Sequence, residues 1–344
     1  MKKIFVFGNI VLLLLMAACV ERDAGYILHP DEASRLVVNA LWTTADSLPT
    51  VNICRTGCLQ TAPVKDCETE LWVNGQCVSN GSDTVFNYRP QPGDHVELLV
   101  SGEGEKVSAS ADVLQPIIIE SMDTLHVRKL KSHESNDTKP YVRFMIHLRM
   151  PEGMKGMQYF RLELNRYSKV FAGGSCSYGE DGRPRWRQIW FNEEYKSDYE
   201  YDFDPALSEN ASNVSDDDED DYSLEFFDDV PNKYGLFCNN FFKDGRYTLY
   251  VDVPNNVVHS LEDEVGFQIV YHFRIVTLPR IEYYYLWSAT ALTEVFESGV
   301  FFSNPPIIPS NIEGGTGIFS IGAVADVSLD DNQLKEVEMI EEEW

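Results

Sequence analysis

The chain has 344 residues, with 55 Asp and Glu against 28 Lys and Arg, giving a formal net charge of −27 at neutral pH. A surface this acidic repels nucleic acid and anionic lipid headgroups, so no nucleic-acid partner is expected. The length suits two domains, and a hydrophobic share of 44% supplies enough apolar material for substantial cores.

The chain opens with Lys2 and Lys3, an apolar run from Ile4 to Met16, and then Ala17-Ala18-Cys19. The run is too short for a stable bilayer-spanning helix, and small residues before a cysteine form a lipobox. Residues 1–18 therefore read as a lipoprotein signal peptide, cleaved before Cys19, whose thiol and freed amine carry the lipid. One acyl chain holds a protein only marginally, whereas several on one residue form an effectively permanent tether. Cleavage removes only Lys2 and Lys3 from the charge count, leaving the mature chain still more acidic. Residues 19–34 are polar, contain Gly25 and Pro30, and read as an acylated tether. The expected address is the outer membrane, held through the N-terminal acyl chains, with the surface and periplasmic faces both open.

Six further cysteines follow: Cys54, Cys58, Cys67, Cys77, Cys176 and Cys238. An even number in an exported chain reads as a set of disulfides, paired within the first four and between Cys176 and Cys238. Zinc is the competing ligand for the first four, but their spacing lacks the paired short knuckles of a zinc ribbon. No metal is assigned.

From Leu36 the pattern is one of short strands. Leu36–Trp42, Glu70–Val73, Val85–Tyr88, Val96–Val100 and Val107–Ala111 are rich in β-branched, aromatic or alternating residues. Asn74-Gly75 directly after a strand signals a hairpin, and Pro92-Gly93 and Gly102-Glu103-Gly104 mark further turns. Residues 35–116 are read as an immunoglobulin or fibronectin-like β-sandwich, ending near Leu114-Gln115-Pro116.

Residues 117–344 are read as a second β-rich domain. Val142, Phe144, Ile146 and Leu148 alternate with Tyr141, Arg143, Met145 and His147; Phe160, Leu162 and Leu164 repeat the period, and Arg187–Phe191, Tyr247–Val251 and Phe267–Leu278 continue it. Near 282–297 the period changes: Ile281, Tyr285, Ala289, Leu292 and Phe296 recur at three and four, with Gly299 as a stop. That predicts one amphipathic helix. Its Tyr283–Tyr285 run reads as core packing ahead of a sugar-stacking platform. The acidic stretch 208–222, with Asp216–Asp221, reads as a solvated loop ahead of a calcium site, since it lacks a glycine turn and fixed ligand spacing.

No catalytic residue or cofactor is assigned. The seven histidines form no metal pair, and Gly173-Gly174-Ser175-Cys176 lacks the setting of a nucleophile elbow. Gly314-Gly315-Thr316-Gly317 has neither the lysine nor the helix of a phosphate loop and reads as a site of tight turns. A carboxylate dyad drawn from distant strands would leave no such trace, so a surface hydrolase of glycan or peptide stays as an alternative. Asp46-Ser47-Leu48, Asp83-Thr84-Val85 and Asp123-Thr124-Leu125 resemble the O-glycan acceptor triplet of exported Bacteroidota proteins.

Near the C-terminal end stand Phe302-Ser303-Asn304-Pro305-Pro306 and then Ile308-Pro309-Ser310-Asn311-Ile312-Glu313-Gly314-Gly315-Thr316-Gly317-Ile318-Phe319. This block resembles the signature of the Bacteroidota lipoproteins grouped as domain-of-unknown-function family 4249. The turn Asp244-Gly245-Arg246-Tyr247 and the tyrosine-rich helix are similar to the family's second domain, while the six cysteines and acidic stretch depart from it. The resemblance implies an exported outer-membrane lipoprotein accompanying a TonB-dependent transporter, and carries over no functional residue except Cys19. The expected function is that of a non-catalytic accessory protein binding a ligand or a transporter, with hydrolase and adhesive or structural roles as alternatives.

Overall fold

Alternation of apolar and polar residues, with β-branched and aromatic side chains at the apolar positions, builds most of the described residues as strands. The computed structural model describes residues 34–56, 62–64, 66–132, 135–172, 177–178, 184–185, 188–193, 204–208, 230–254, 265–298, 308–330 and 340–342. The first region holds β1 (Leu36–Thr43), β2 (Asn52–Arg55), β3 (Ala62–Pro63), β4 (Glu68–Val73), β5 (Gln76–Gly81), β6 (His95–Gly102) and β7 (Glu105–Asp112). Next come β8 (Ile118–Ser132), β9 (Ser135–Arg149), β10 (Tyr159–Ala172), β11 (Ser177–Tyr178), β12 (Pro184–Arg185) and β13 (Gln188–Glu193). A single helical turn α1 (Pro205–Ser208) precedes β14 (Leu236–Cys238), β15 (Arg246–Pro254), β16 (Val265–Leu278), the long helix α2 (Arg280–Ser298), β17 (Thr316–Asp330) and β18 (Ile340–Glu342).

The fold is mainly β, with an N-terminal sandwich, a larger second one and one amphipathic helix. In the first, the sheet β5-β4-β6-β7 faces β1, β2 and the start of β17. Val96, Leu98 and Val100 on β6 point inward against Leu36, Val38 and Trp42 on β1, while the intervening β6 residues face out. Trp42 packs edge-on to Phe319 at 5.0 Å and against Phe86 at 5.5 Å. The Asn74-Gly75 and Glu103-Gly104 hairpins form as expected, all four residues having positive φ.

In the second sandwich, β15-β9-β8-β18 packs against an eight-stranded sheet of order β13-β10-β16-β17-β1-β2-β3, with β14 also on β10. Phe144 and Ile146 meet Phe160, Leu162, Leu249 and Phe273 in its core. Strand β17 belongs to both cores. Its residues 316–322 run parallel to β1, and its residues 323–330 run antiparallel to β16. Phe319 and Ile321 enter the first core, and Ala325, Val327 and Leu329 pack on the second.

Helix α2 covers the opposite face of that long sheet. Glu282 and Tyr283 donate their N–H groups to Pro279 O, which starts the helix. Tyr283, Tyr284, Leu286, Trp287 and Ala291 bury themselves against Tyr159, Val276 and Leu278, so the tyrosines are core residues. The face differs from the expected one: Ile281, Tyr285, Ala289 and Leu292 are only half-buried. Apolar residues surround this helix, and the sheet rather than the periodicity selects the deeper side. A second correction concerns Val85–Tyr88, which is a loop. It makes only a single bridge from Val85 to Thr50, and Phe86 is buried because it plugs the core beside Trp42.

Candidate functional site

The block Ser310–Phe319 fastens the two ends of the chain together. Asn311 donates from Nδ2 to Phe319 O at 2.8 Å and accepts from Phe319 N–H at 2.9 Å, holding the turn shut. Glu313 and Ser108 exchange backbone hydrogen bonds of 2.8 and 3.1 Å, which joins the block to β7. The glycines are required by close approach. A Cβ at Gly315 would lie 2.7 Å from Leu36 O and 2.9 Å from Val107 Cγ1, and Gly317 has φ +114° against the backbone of Val38. They let the last long strand thread between β1 and β7.

Two open grooves flank this block. One, of about 490 Å³, lies at the seam of the sandwiches and is lined by Asp112, Lys155, Met157, Arg280, Asn311 and Phe319 among others. The other, of about 740 Å³, lies over β6 and β7 and is lined by His95, Glu97, Leu99, Ser108, Ile312 and Glu313 among others. Ser110 and Asn311 wall both. His95 sits with Nδ1 2.6 Å from Asp112 Oδ1 and Nε2 3.5 Å from Glu97 Oε1. The hydrogen bond with Asp112, reinforced by both carboxylate charges, holds the imidazole above its ordinary 6.5. These groups are solvent-exposed, so the pairing orients side chains more than it stabilises the fold. A third groove, of about 450 Å³, lies over β9 and β15 and is lined by Glu120, His147, Lys243, Arg246 and Tyr250 among others.

Polar groups that sequence reasoning missed lie deeper. Arg143 grips Asp252 with two hydrogen bonds of 2.8 and 3.0 Å. Asp204 accepts from Tyr247 Oη and the N–H groups of Tyr250 and Ala206, pinning α1 to β15. Burial nevertheless pushes its carboxyl above the usual range. Glu282, in the first turn of α2, is buried, accepting from Ser320 Oγ at 2.7 Å with Arg161 Nη1 at 3.4 Å. In a chain with so many carboxylates, no local signal separates these three from solvated ones. The groove over β6 and β7 is mostly polar, whereas the seam groove and the one over β9 and β15 set charged side chains around mostly apolar surface, an arrangement suited to binding by apolar contact as well as by hydrogen bonds and charge.

The expected site residues fall as follows. Cys19, residues 19–33 of the tether, Cys58, Cys176 and residues 209–222 of the acidic stretch lie outside the described residues. No disulfide joins two described cysteines. Cys54 on β2 and Cys67 before β4 are buried thiols, and Cys77 on β5 is an exposed one, so the expected pairing is not found among these three. Burial raises the thiols of Cys54 and Cys67, which makes them poor nucleophiles. Cys238 packs on β14 among Tyr159, Tyr283 and Trp287. Among the described residues no group of three His, Cys, Asp or Glu side chains is placed to hold a metal ion. Of the acceptor-like triplets, Ser47 and Thr84 are exposed at one end of the first sandwich, whereas Thr124 is buried on β8.

Fold and site thus define a double β-sandwich protein in which the asparagine and glycine block is a seam flanked by open grooves. The model of the family described as Domain of unknown function (DUF4249) matches residues 26–328, and the chain belongs to that family. No curated protein matches it.

Proposed function

We propose that this protein is a lipid-anchored accessory protein of the outer membrane, which binds a ligand or a transporter without catalysing a reaction. The expected partner is a TonB-dependent transporter engaged in nutrient uptake. The observation that carries this reading is that Ser310–Glu313 both closes the fold and walls the open, polar groove over β6 and β7, with Asn311 also walling the open groove at the seam. Loops and edges on a rigid sheet framework are the usual carriers of recognition. The lipobox at Cys19 supports the membrane anchorage.

The test is fractionation and capture in the native host. Wild-type protein should partition with the outer membrane, incorporate labelled palmitate and cross-link to a transporter, while Cys19→Ala should lose the label and the membrane. Absence of palmitate from the wild type would overturn the anchorage. Absence of a cross-linked transporter, together with no thermal shift across peptides, glycans and iron chelates, would overturn the binding role.

A further inference from the structure

Strand β7 is the last of its four-stranded sheet, and its outer edge is only partly closed. In an antiparallel ladder, successive residues direct their N–H and C=O alternately to one neighbour and the other. His95 bonds through both groups to Asn74, at 2.9 and 2.8 Å, and so turns away from its β7 partner Asp112. Val113, the next residue, bonds back to Asp94 and Gly93 at 2.8 Å each. Ser108 turns outward and is met by Glu313. The same alternation sends the N–H and C=O groups of Ser110 and Asp112 outward, and both residues are exposed.

Continuing the Ser108–Glu313 pairing antiparallel would set Asn311 opposite Ser110. The chain does not continue it, because Asn311 turns its side chain onto Phe319 and the backbone peels away. Beside Ser110 lie both of the grooves already described, and beside Asp112 the one at the seam.

We propose that this edge accepts an extended polypeptide segment as an added strand, hydrogen-bonded to Ser110 and Asp112. The chain's own Glu313 occupies the adjoining register position, which shows that the edge pairs and in which direction. This inference rests on the binding reading above and specifies its occupant. Side chains of an added strand alternate between faces. On the outer face they meet Glu97 and Glu313, which favours a basic residue; on the seam face they meet the half-buried Leu114, Met157 and Ile281 beside Lys155 and Arg280, which favours apolar residues and disfavours basic ones. The preferred segment therefore alternates basic and apolar residues.

The test is fluorescence anisotropy with the full chain and a fluorescein-labelled hexapeptide of alternating valine and lysine at physiological salt. The same hexapeptide N-methylated at its lysines, the residues that would stand opposite Ser110 and Asp112, keeps its charge but loses the main-chain donors that face β7, and should bind about tenfold weaker or worse. Ser110→Pro removes an outward N–H that the ladder with β6 does not use, and should weaken the unmodified peptide similarly. Glu97→Lys should weaken the valine-lysine peptide and strengthen a valine-glutamate one. No saturable binding, equal affinity for the N-methylated peptide, or indifference to Ser110→Pro in a folded variant would each overturn the proposal. The N-methylated comparison needs no variant to fold. A transporter that cross-links equally to wild type and Ser110→Pro would sink the edge while leaving the binding role intact; peptide binding without any transporter would keep the edge and the ligand-binding role and remove the transporter as partner.

Discussion

Asn311 does with one side chain what a neighbouring strand does with its backbone, since its amide satisfies both the N–H and the C=O of Phe319. Asn311→Ala leaves both part-buried groups without those partners and should cost about 1–3 kcal/mol, read as a lower urea midpoint at unchanged slope. Two carboxylates act in opposite pH windows. Asp94 is partly buried, which opposes ionisation, but hydrogen bonds from Tyr88, Asn74 and the Gln91 N–H outweigh this and hold it below its ordinary 3.8. Its contribution is therefore complete above 3.8 and is lost as pH falls through the depressed folded value. Glu282 is the reverse: burial raises it above 4.5 despite Arg161 and Ser320, so stability is gained as pH falls from that raised value toward 4.5. Melting curves across pH should show Asp94→Asn flattening the acid limb and Glu282→Gln removing the gain above 4.5, with unaltered profiles refuting both assignments. Neither residue was legible beforehand, because a carboxylate's burial is set by elements far away in the chain.

At the scale of elements, what was legible follows from how many faces an element buries. Strand β6 buries one face, as does β9 over Met145–Leu148, so their alternation gives them away. Strand β17 is buried on both faces over residues 318–323, where it lies between α2 and the two cores, and its entry through Gly314-Gly315-Thr316-Gly317 looks like a turn. The helix was legible for the complementary reason that its period differs from that of its surroundings, but its buried side was not. The stripe Ile281, Tyr285, Ala289 and Leu292 has the expected spacing, yet Trp287 is the residue sealed against the sheet at 1% exposure. Trp287→Ala should cost about 3–5 kcal/mol, and Leu292→Ala about 1 kcal/mol. Chemical denaturation of the two variants checks the assignment, and the reverse order of stabilities would mean that the outer stripe is the packed one.

The whole molecule is held as one piece by β17, and this was the least visible feature of the sequence. Its pairing with β1 brings Asn39 Oδ1 to the N–H of Ile318, groups 279 residues apart, and no local pattern encodes a contact of that span. A reading that divides the chain at residue 116 recognises two sandwiches but leaves the last strand out of the first. The physical consequence is coupled stability: loosening β17 removes one wall from the first core and a strand from the second at once. Gly317→Ala tests this. Its positive φ and its approach to Val38 make an added methyl strained, a cost of about 1–3 kcal/mol. Hydrogen exchange should then accelerate in parallel on β6 and β7 of the first sandwich and on β9 and β16 of the second. A disturbance confined to β1, β6 and β7 would show that the sandwiches open independently and that β17 only passes between them. Parallel acceleration would instead make the seam the place where a strand docked on β7 is felt across both cores, because the block that walls its grooves leads directly into β17.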